Sequence, residues 1–475
     1  MSVVVIKSSP VVVRPSSPAS TAAIKLSSFD KGLERMPITA LLVSEHPIHE
    51  TAETIKTALS RALVHYYPFA GRIVAAGDGY IQCGGEGVVF VAASATGAVE
   101  DVIASGHSPA SRAMRESLAV CYPAEACGGA ADPRLLVQAT EFACGGFVLG
   151  VTSNHAAADG AGMAQFLRAV GELAQGSPSP AVAPVRRDDS LPILPAVVPV
   201  SKLLSLDPLD DLACLDFTVP ASVIRRVRAD LAGDPPCTAF EAVSAVVWRC
   251  RTRAAMSDPE APAALFFSAN ARRLVGAKEG YYDNCVTAAQ VVAERSGAVA
   301  GGDVVELVKK IRDAKERVPD QLKKNNKDEG GGDLPELRDR YDMVFVSSWP
   351  NLGFDEVDFG GGTPARVTSR MRERPHFPAF GVITTCCPSP SRRSMLMPSS
   401  ENSQGSQTNK IHGEARKPAT RWFAGGLFKW FRNLAVALPP EEVGSATDEL
   451  YSTWEKLLNE PSWKSFKIVM VGGDR

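Results

Sequence analysis

The sequence predicts a mixed α/β protein built from two domains. Three observations carry that expectation. At 475 residues the chain exceeds what one hydrophobic core ordinarily serves. Helix-period and strand-period segments interleave in both halves, without the regular βαβ spacing of a doubly wound nucleotide-binding sheet. Between the halves, residues 177–212 carry Ser-Pro-Ser-Pro, Leu-Pro-Ile-Leu-Pro and Val-Pro in close succession. Proline that dense excludes long helices and marks a crossover.

The elements follow from their spacing. Ile55, Leu59, Leu63 and Tyr66 lie on one helical stripe that must end before Pro68. Apolar runs at Leu135–Phe142, Phe147–Ser153, Ala264–Ser268 and Met343–Ser347 read as strands. Met163, Phe166, Leu167, Val170 and Leu173 return at helical spacing, with a stop at Gly176. Thr238 and Glu241 form a capping box for a helix that turns Phe240, Val243, Val247 and Cys250 inward. Asp303 and Glu306 have the same spacing ahead of Leu307, Val308 and Ile311. The run from Lys323 to Asp333, ending in three glycines, reads as a loop.

Composition removes several function classes. The formal charge of −2, with 45% hydrophobic and 22% charged residues, leaves no electrostatic footprint for nucleic acid. No stretch approaches the roughly 20 apolar residues that span a bilayer. Val3–Ile6 is too short for a signal-peptide core, so a cytoplasmic protein is expected; a monomer is expected as well. The ten cysteines make no CxxC pair and resemble neither a zinc site nor a disulfide framework. They read as reduced and structural, and no metal is expected.

The sharpest chemical signal is Ser153-Asn154-His155-Ala156-Ala157-Ala158-Asp159-Gly160. It places His155 where a strand runs out and a helix begins, with small residues after it. Imidazole titrates near neutrality and suits proton abstraction there. For an isolated HxxxD, a pattern short and degenerate, a buried structural histidine followed by an Asp159 N-cap is the better explanation.

The company this octet keeps resembles the BAHD acyltransferases. The matching stretches include Leu26-Ser27-Ser28-Phe29-Asp30, Tyr66-Tyr67-Pro68-Phe69-Ala70-Gly71-Arg72, Asn270-Ala271-Arg272 and Gly280-Tyr281-Tyr282-Asp283-Asn284. Asp358-Phe359-Gly360-Gly361-Gly362 stands in the place of the family's DFGWG motif, with Gly361 replacing its tryptophan. The resemblance runs from about Val13 to about Arg374.

It implies a chloramphenicol-acetyltransferase-like α/β fold of two domains with a central channel between them. Residues 1–176 would form the N-terminal domain, 177–212 the crossover and 213–387 the C-terminal domain. His155 and Asp159 would be the catalytic pair, with His155 as general base. Arg272 would hold Asp159 by a salt bridge, and Asp358, Phe359 and Gly360 would shape the C-terminal domain and the side of the channel that takes coenzyme A. The donor would be an acyl-CoA as co-substrate, with no further cofactor, and the acceptor a small molecule bearing a hydroxyl or amine. Pro37–Ala40 and Phe166–Glu172 look most like grass members of the family, among which hydroxycinnamoyl donors are common. A peptide-synthetase condensation domain shares the logic but carries a second histidine where this chain has Asn154. Loss of the tryptophan at Gly361 implies a gap and weak CoA binding, and makes a catalytically weak paralogue that binds CoA or a partner the alternative.

Residues 388–475 depart from the family. Eight Lys and Arg accompany only Glu401 and Glu414 between 388 and 432, and serine enrichment from Ser389 to Thr408 reads as disorder or a long loop. Trp422–Leu434 reads as an amphipathic element. Only Glu441–Val471, with a helix over Glu441–Glu460 and a strand over Phe466–Val471, has the composition to close the second domain.

Overall fold

The computed structural model describes residues 3–186, 212–324, 343–369, 380–386 and 466–473, apart from positions 19, 32, 75–78, 104–108, 124–126, 128, 220, 232–235, 256–257 and 294. The expectations for 187–211, for the glycine loop at 325–333 and for 387–465 lie outside these residues.

The first half runs β1 (Val5–Lys7), β2 (Val11–Val13), β3 (Ala23–Lys25), β4 (Pro37–Ser44), α1 (Thr51–His65), β5 (Arg72–Val74), β6 (Tyr80–Gln82) and β7 (Val88–Ala95). It continues with α2 (Glu100–Ile103), α3 (Pro109–Ser117), β8 (Leu135–Phe142), β9 (Phe147–Asn154) and α4 (Gly160–Ala174). The second half holds β10 (Leu212–Val219), α5 (Ala221–Asp230), α6 (Ala239–Ala255), β11 (Ala263–Asn270), β12 (Val286–Ala293), α7 (Ser296–Gly301) and α8 (Val304–Lys324). Four strands follow: β13 (Met343–Ser348), β14 (Arg366–Ser369), β15 (Phe380–Cys386) and β16 (Phe466–Gly473).

Two mixed sheets result. The first has the order β1-β7-β8-β9-β4-β14, with β2 also on β7; the second is β10-β16-β15-β13-β11-β12. β3, β6 and β5 form a small third sheet. β9 is buried along its whole length because the first sheet is covered on both faces. Phe147, Leu149 and Val151 join the core under α1 and α4, while Val148 faces Leu41, Val43 and Leu118 on the other side. A continuous apolar run is what such a strand requires.

The helix signals hold unequally. At α6 the capping box closes as spaced: Thr238 N donates to Glu241 Oε2 at 3.0 Å and Glu241 N to Thr238 Oγ1 at 3.2 Å. Val243, Val247 and Cys250 are buried, and Phe240 is partly so. The box at α8 closes only by half. Asp303 Oδ1 accepts from Val305 N, but Glu306 turns outward to Lys309 instead of back to residue 303. A lysine one turn on competes for that carboxylate. α8 also continues to Lys324, two residues into the expected loop.

Two segments belong elsewhere than the chain order suggests. β14 lies in the first sheet, antiparallel to β4 with Val367 opposite Leu42, although it falls within 213–387. The strand expected at Phe466–Val471 forms, and it sits inside the second sheet between β10 and β15. Among the described residues β10 has no other strand partner. Ending the chain at residue 465 should therefore strip β10 of its ladder and open an edge on β15. We expect the truncated protein to be recovered aggregated; a soluble, cooperatively melting product would contradict this placement of β16.

Candidate active site

The site forms where β9 ends and α4 begins. His155 is held by its backbone before its side chain does anything. His155 N donates to Met36 O at 2.8 Å, and Asn154 reaches Glu34 O through Nδ2 and accepts from Ala156 N. The three following carbonyls each receive a side-chain donor from a distant part of the chain. Asn284 Nδ2 binds His155 O at 2.8 Å, Arg134 binds Ala156 O, and Arg186 Nη1 binds Ala157 O at 3.3 Å. These bonds fix the orientation of three successive carbonyls. His155 itself is half-buried, with Nδ1 sealed from solvent and without a hydrogen-bond partner.

Asp159 faces away from the ring. It caps α4 by accepting from Gly162 N at 2.9 Å, and Arg272 approaches it with both terminal nitrogens at 2.8 Å. Cys285 N fills the remaining position on Oδ2 at 3.0 Å. A carboxylate has about four acceptor positions, and these four bonds use them. Asp159 is thus both the helix cap and the salt-bridge partner, two readings that the spacing alone leaves as alternatives. Arg272 is fixed in turn, donating from Nε to Tyr281 O and from Nη2 to Asp283 O.

Behind the histidine loop lies a polar core that the sequence reading did not assemble. Arg186 lies 3.0 Å from Asp283 and 3.9 Å from Asp30, with all three side chains almost fully buried. Burial pushes the Asp283 carboxyl upward, Arg186 pulls it back, and Asp30 pushes it up again. Asn284 Nδ2 also donates to Asp30 Oδ1 at 2.8 Å. Arg186 arrives from the proline-rich crossover, whose Val185 bridges to Tyr281. The pairing of these groups spans up to some 250 residues of sequence, and no local pattern shows it.

The aromatic run beginning at Tyr66 closes the adjoining core. Tyr66 stacks edge-on to Phe166 and Tyr282, with centroids 5.2 and 4.8 Å apart, and Phe69 lies 4.5 Å from Phe166. Burial pushes the Tyr66 phenol up to about 12. Close approach depends on glycine at Gly162, where a Cβ would stand 1.8 Å from Tyr282 O.

Asp358, Phe359 and Gly360 are not brought to His155. They pack against the far end of α4: Gln175 Nε2 donates to Asp358 O, and a Cβ on Gly171 would meet that same carbonyl at 2.3 Å. Eleven residues separate Gly171 from Gly160, about 16 Å along a helix. Asp358 Oδ1 accepts from Gly360 N and Gly362 N, closing a tight turn, and Phe359 packs edge-on to Phe147 of the first sheet. In the described residues this motif folds onto the first half. At Gly361, where a gap is expected, a Cβ would lie 3.0 Å from His46 O and 3.1 Å from Ile48 Cγ2. The carbonyls of His46 and Pro47 and the Ile48 side chain crowd that position.

Among the described residues no cluster of histidine, cysteine or carboxylate side chains is arranged to hold a metal ion, and no helix is long and apolar enough to cross a membrane.

The model of the family described as "Transferase family" matches residues 1–379. "Acyl transferase 15" of Oryza sativa subsp. japonica is 47% identical over 77% of this chain and 88% of its own length. A "Myricetin 3-O-glucosyl 1,2-rhamnoside 6'-O-caffeoyltransferase AT1" from Crocosmia x crocosmiiflora is 32% identical over 77% of this chain and 88% of its own. Among solved structures, vinorine synthase superposes with a TM-score of 0.63 at 21% identity, covering 80% of this chain and 91% of that one. The likeness shows the same two-domain α/β fold.

Two outcomes follow from this geometry. Asp159→Asn and Arg272→Ala should each destabilise by about 3–5 kcal/mol, because either leaves a buried charge unpaired. The double variant should lose far less than the sum, and additive losses in melting experiments would mean the two are not coupled. Gly361→Trp, which restores the family's tryptophan, should destabilise by about 1–3 kcal/mol by overpacking. An unchanged melting temperature with tighter CoA binding would show a usable gap instead.

Proposed function

The chain belongs to the Transferase family, the BAHD acyl-CoA-dependent acyltransferases, and from that premise we propose that His155 is the general base of an acyl transfer to a hydroxyl or amine. The observation that carries this reading is the rigid mounting of His155 beside a carboxylate, Asp159, whose acceptor positions are all taken. The ring is then the proton acceptor available at the junction, and Asp159 is a positioning residue.

The step balances without an acyl-enzyme. The acceptor oxygen or nitrogen attacks the thioester carbonyl as its proton passes to the imidazole. Collapse of the tetrahedral intermediate breaks the carbon–sulfur bond, and the departing thiolate leaves as the free thiol with the proton that the imidazole held. Acyl-CoA and acceptor would approach His155 from opposite sides along a channel between the two domains. For the donor we favour a hydroxycinnamoyl-CoA. The support is the caffeoyltransferase name of one relative and the resemblance of Pro37–Ala40 and Phe166–Glu172 to grass members of the family. Benzoyl- and acetyl-CoA belong in the same assay panel.

His155→Ala should lower kcat by roughly 10²–10⁴-fold with the fold intact by circular dichroism. Activity within a few-fold of the unmodified enzyme would remove His155 from the mechanism. Burial, the dominant influence, holds the His155 imidazolium below its ordinary value. The acid limb of kcat/KM should therefore have its midpoint below about 6.5, with activity level above it because the neutral ring is the active form. A midpoint well above 6.5 would assign the limb to another group.

A further inference from the structure

A base of this kind works only in one tautomer: the nitrogen that meets the acceptor must be bare, and the other must carry the proton. His155 Nδ1 is the buried nitrogen, so the ring's exposed side is the edge away from it. Asp159 cannot hold the Nδ1 proton, since its acceptor positions are filled. Two acceptors remain beside the ring, His155's own carbonyl oxygen and the side chain of Asn284, and the carbonyl already receives Asn284 Nδ2. Asn284 grips His155 O through Nδ2, and its own Oδ1 is buried with no hydrogen-bond partner. A donor-capable atom and an acceptor, both sealed from water and both unpaired, thus stand on two residues that already touch. An unpaired buried polar group is costly, so one bond between them relieves both.

We propose that Asn284 is the positioning residue that sets the tautomer of His155, its Oδ1 accepting the Nδ1 proton so that Nε2 is left bare for the acceptor. This rests on the general-base reading above.

The amide can face only one way, and Asp30 decides which. Oδ2 of Asp30 accepts from Ser27 N at 2.8 Å, and Oδ1 accepts from Asn284 Nδ2 at 2.8 Å. Asn284 Nδ2 therefore meets two acceptors, Asp30 Oδ1 and His155 O, which uses both of its hydrogens. The carbonyl end of the amide is left toward the ring. Asp30 is fully buried and Asn284 nearly so, so water does not compete for these positions. The charged groups acting on the ring are Asp159 and Asp30, and both favour its protonated form as the proton arrives.

The test reads the tautomer directly. In protein carrying 15N-labelled histidine, the two ring nitrogens of His155 are identified by their loss in His155→Gln, which separates them from the other six histidines. The unmodified enzyme at neutral pH should show Nδ1 protonated and Nε2 bare. Asn284→Leu should give a mixture of tautomers, with kcat lowered by between about 10-fold and the roughly 10⁴-fold that loss of a charged orienting partner costs, and KM little changed. Asp30→Asn tests the same idea without removing bulk. Its oxygen must stay on Ser27 N, so its new NH2 faces Asn284 and favours a flip of that amide, which gives up its bond to His155 O and presents Nδ2 to the ring. The tautomer should then reverse toward Nε2–H. If Asn284→Leu is not recovered folded, Asp30→Asn decides alone. A folded variant whose His155 nitrogens match the unmodified enzyme overturns the proposal even if it melts earlier, since a merely structural role moves stability and not the tautomer. Failure of the general-base reading is distinguishable, because it appears as retained activity in His155→Ala.

Discussion

The ion pair between Asp159 and Arg272 is the constraint on which the rest depends. It joins the N-terminus of α4 in the first half to the turn after β11 in the second, so the two sheets cannot slide without breaking it. The geometry is bidentate and both partners make further hydrogen bonds, which is the condition for a buried pair to hold together at all. Arg272 also donates to Tyr281 O and Asp283 O, so the strip that carries Asn284 is positioned by the same guanidinium that fixes the helix cap. One interaction thereby sets the histidine loop from both ends.

The polar core behind His155 follows the same logic at larger scale. Asp30, Arg186 and Asp283 are buried together, a costly arrangement that well-packed apolar residues would match or improve in stability. What it gives in exchange is position. Three successive carbonyls after Asn154 each end on a different long-range donor, and an apolar core has no means of orienting a carbonyl. Rigid placement matters for a base whose nitrogen must meet a substrate proton within hydrogen-bond reach.

Small residues make room for this network. Gly162 and Gly171 lie on α4 where the carbonyls of Tyr282 and Asp358 press against it, closer than any Cβ permits. The helix is consequently clamped at its start by the segment bearing Asn284 and near its end by the Asp358 turn. The pairing of β14 with β4 carries the chain back over the first sheet, which explains why the Asp358 turn stiffens the first half. β16 closes the second sheet from near the far end of the sequence.

The amino-acid sequence alone determined the elements and the chemistry-bearing junction. Apolar periodicity placed β8 and β9, the stripe through Ile55 and Leu63 placed α1, and the octet around His155 located the strand-to-helix turn, because each is a local pattern of a few residues. Resemblance to a family supplied Arg272 as the partner of Asp159. Only the tertiary structure decided that the Asp358 turn packs on the first half, that Gly361 lies close against residues 46–48, and that Asp30, Arg186 and Asn284 meet behind the histidine. These depend on contacts between residues far apart in the chain, where the cost of burying a charge or an amide is met by a partner that no local spacing reveals. The same physics explains the half-closed box at α8: Glu306 had the right spacing, and a nearby lysine took it.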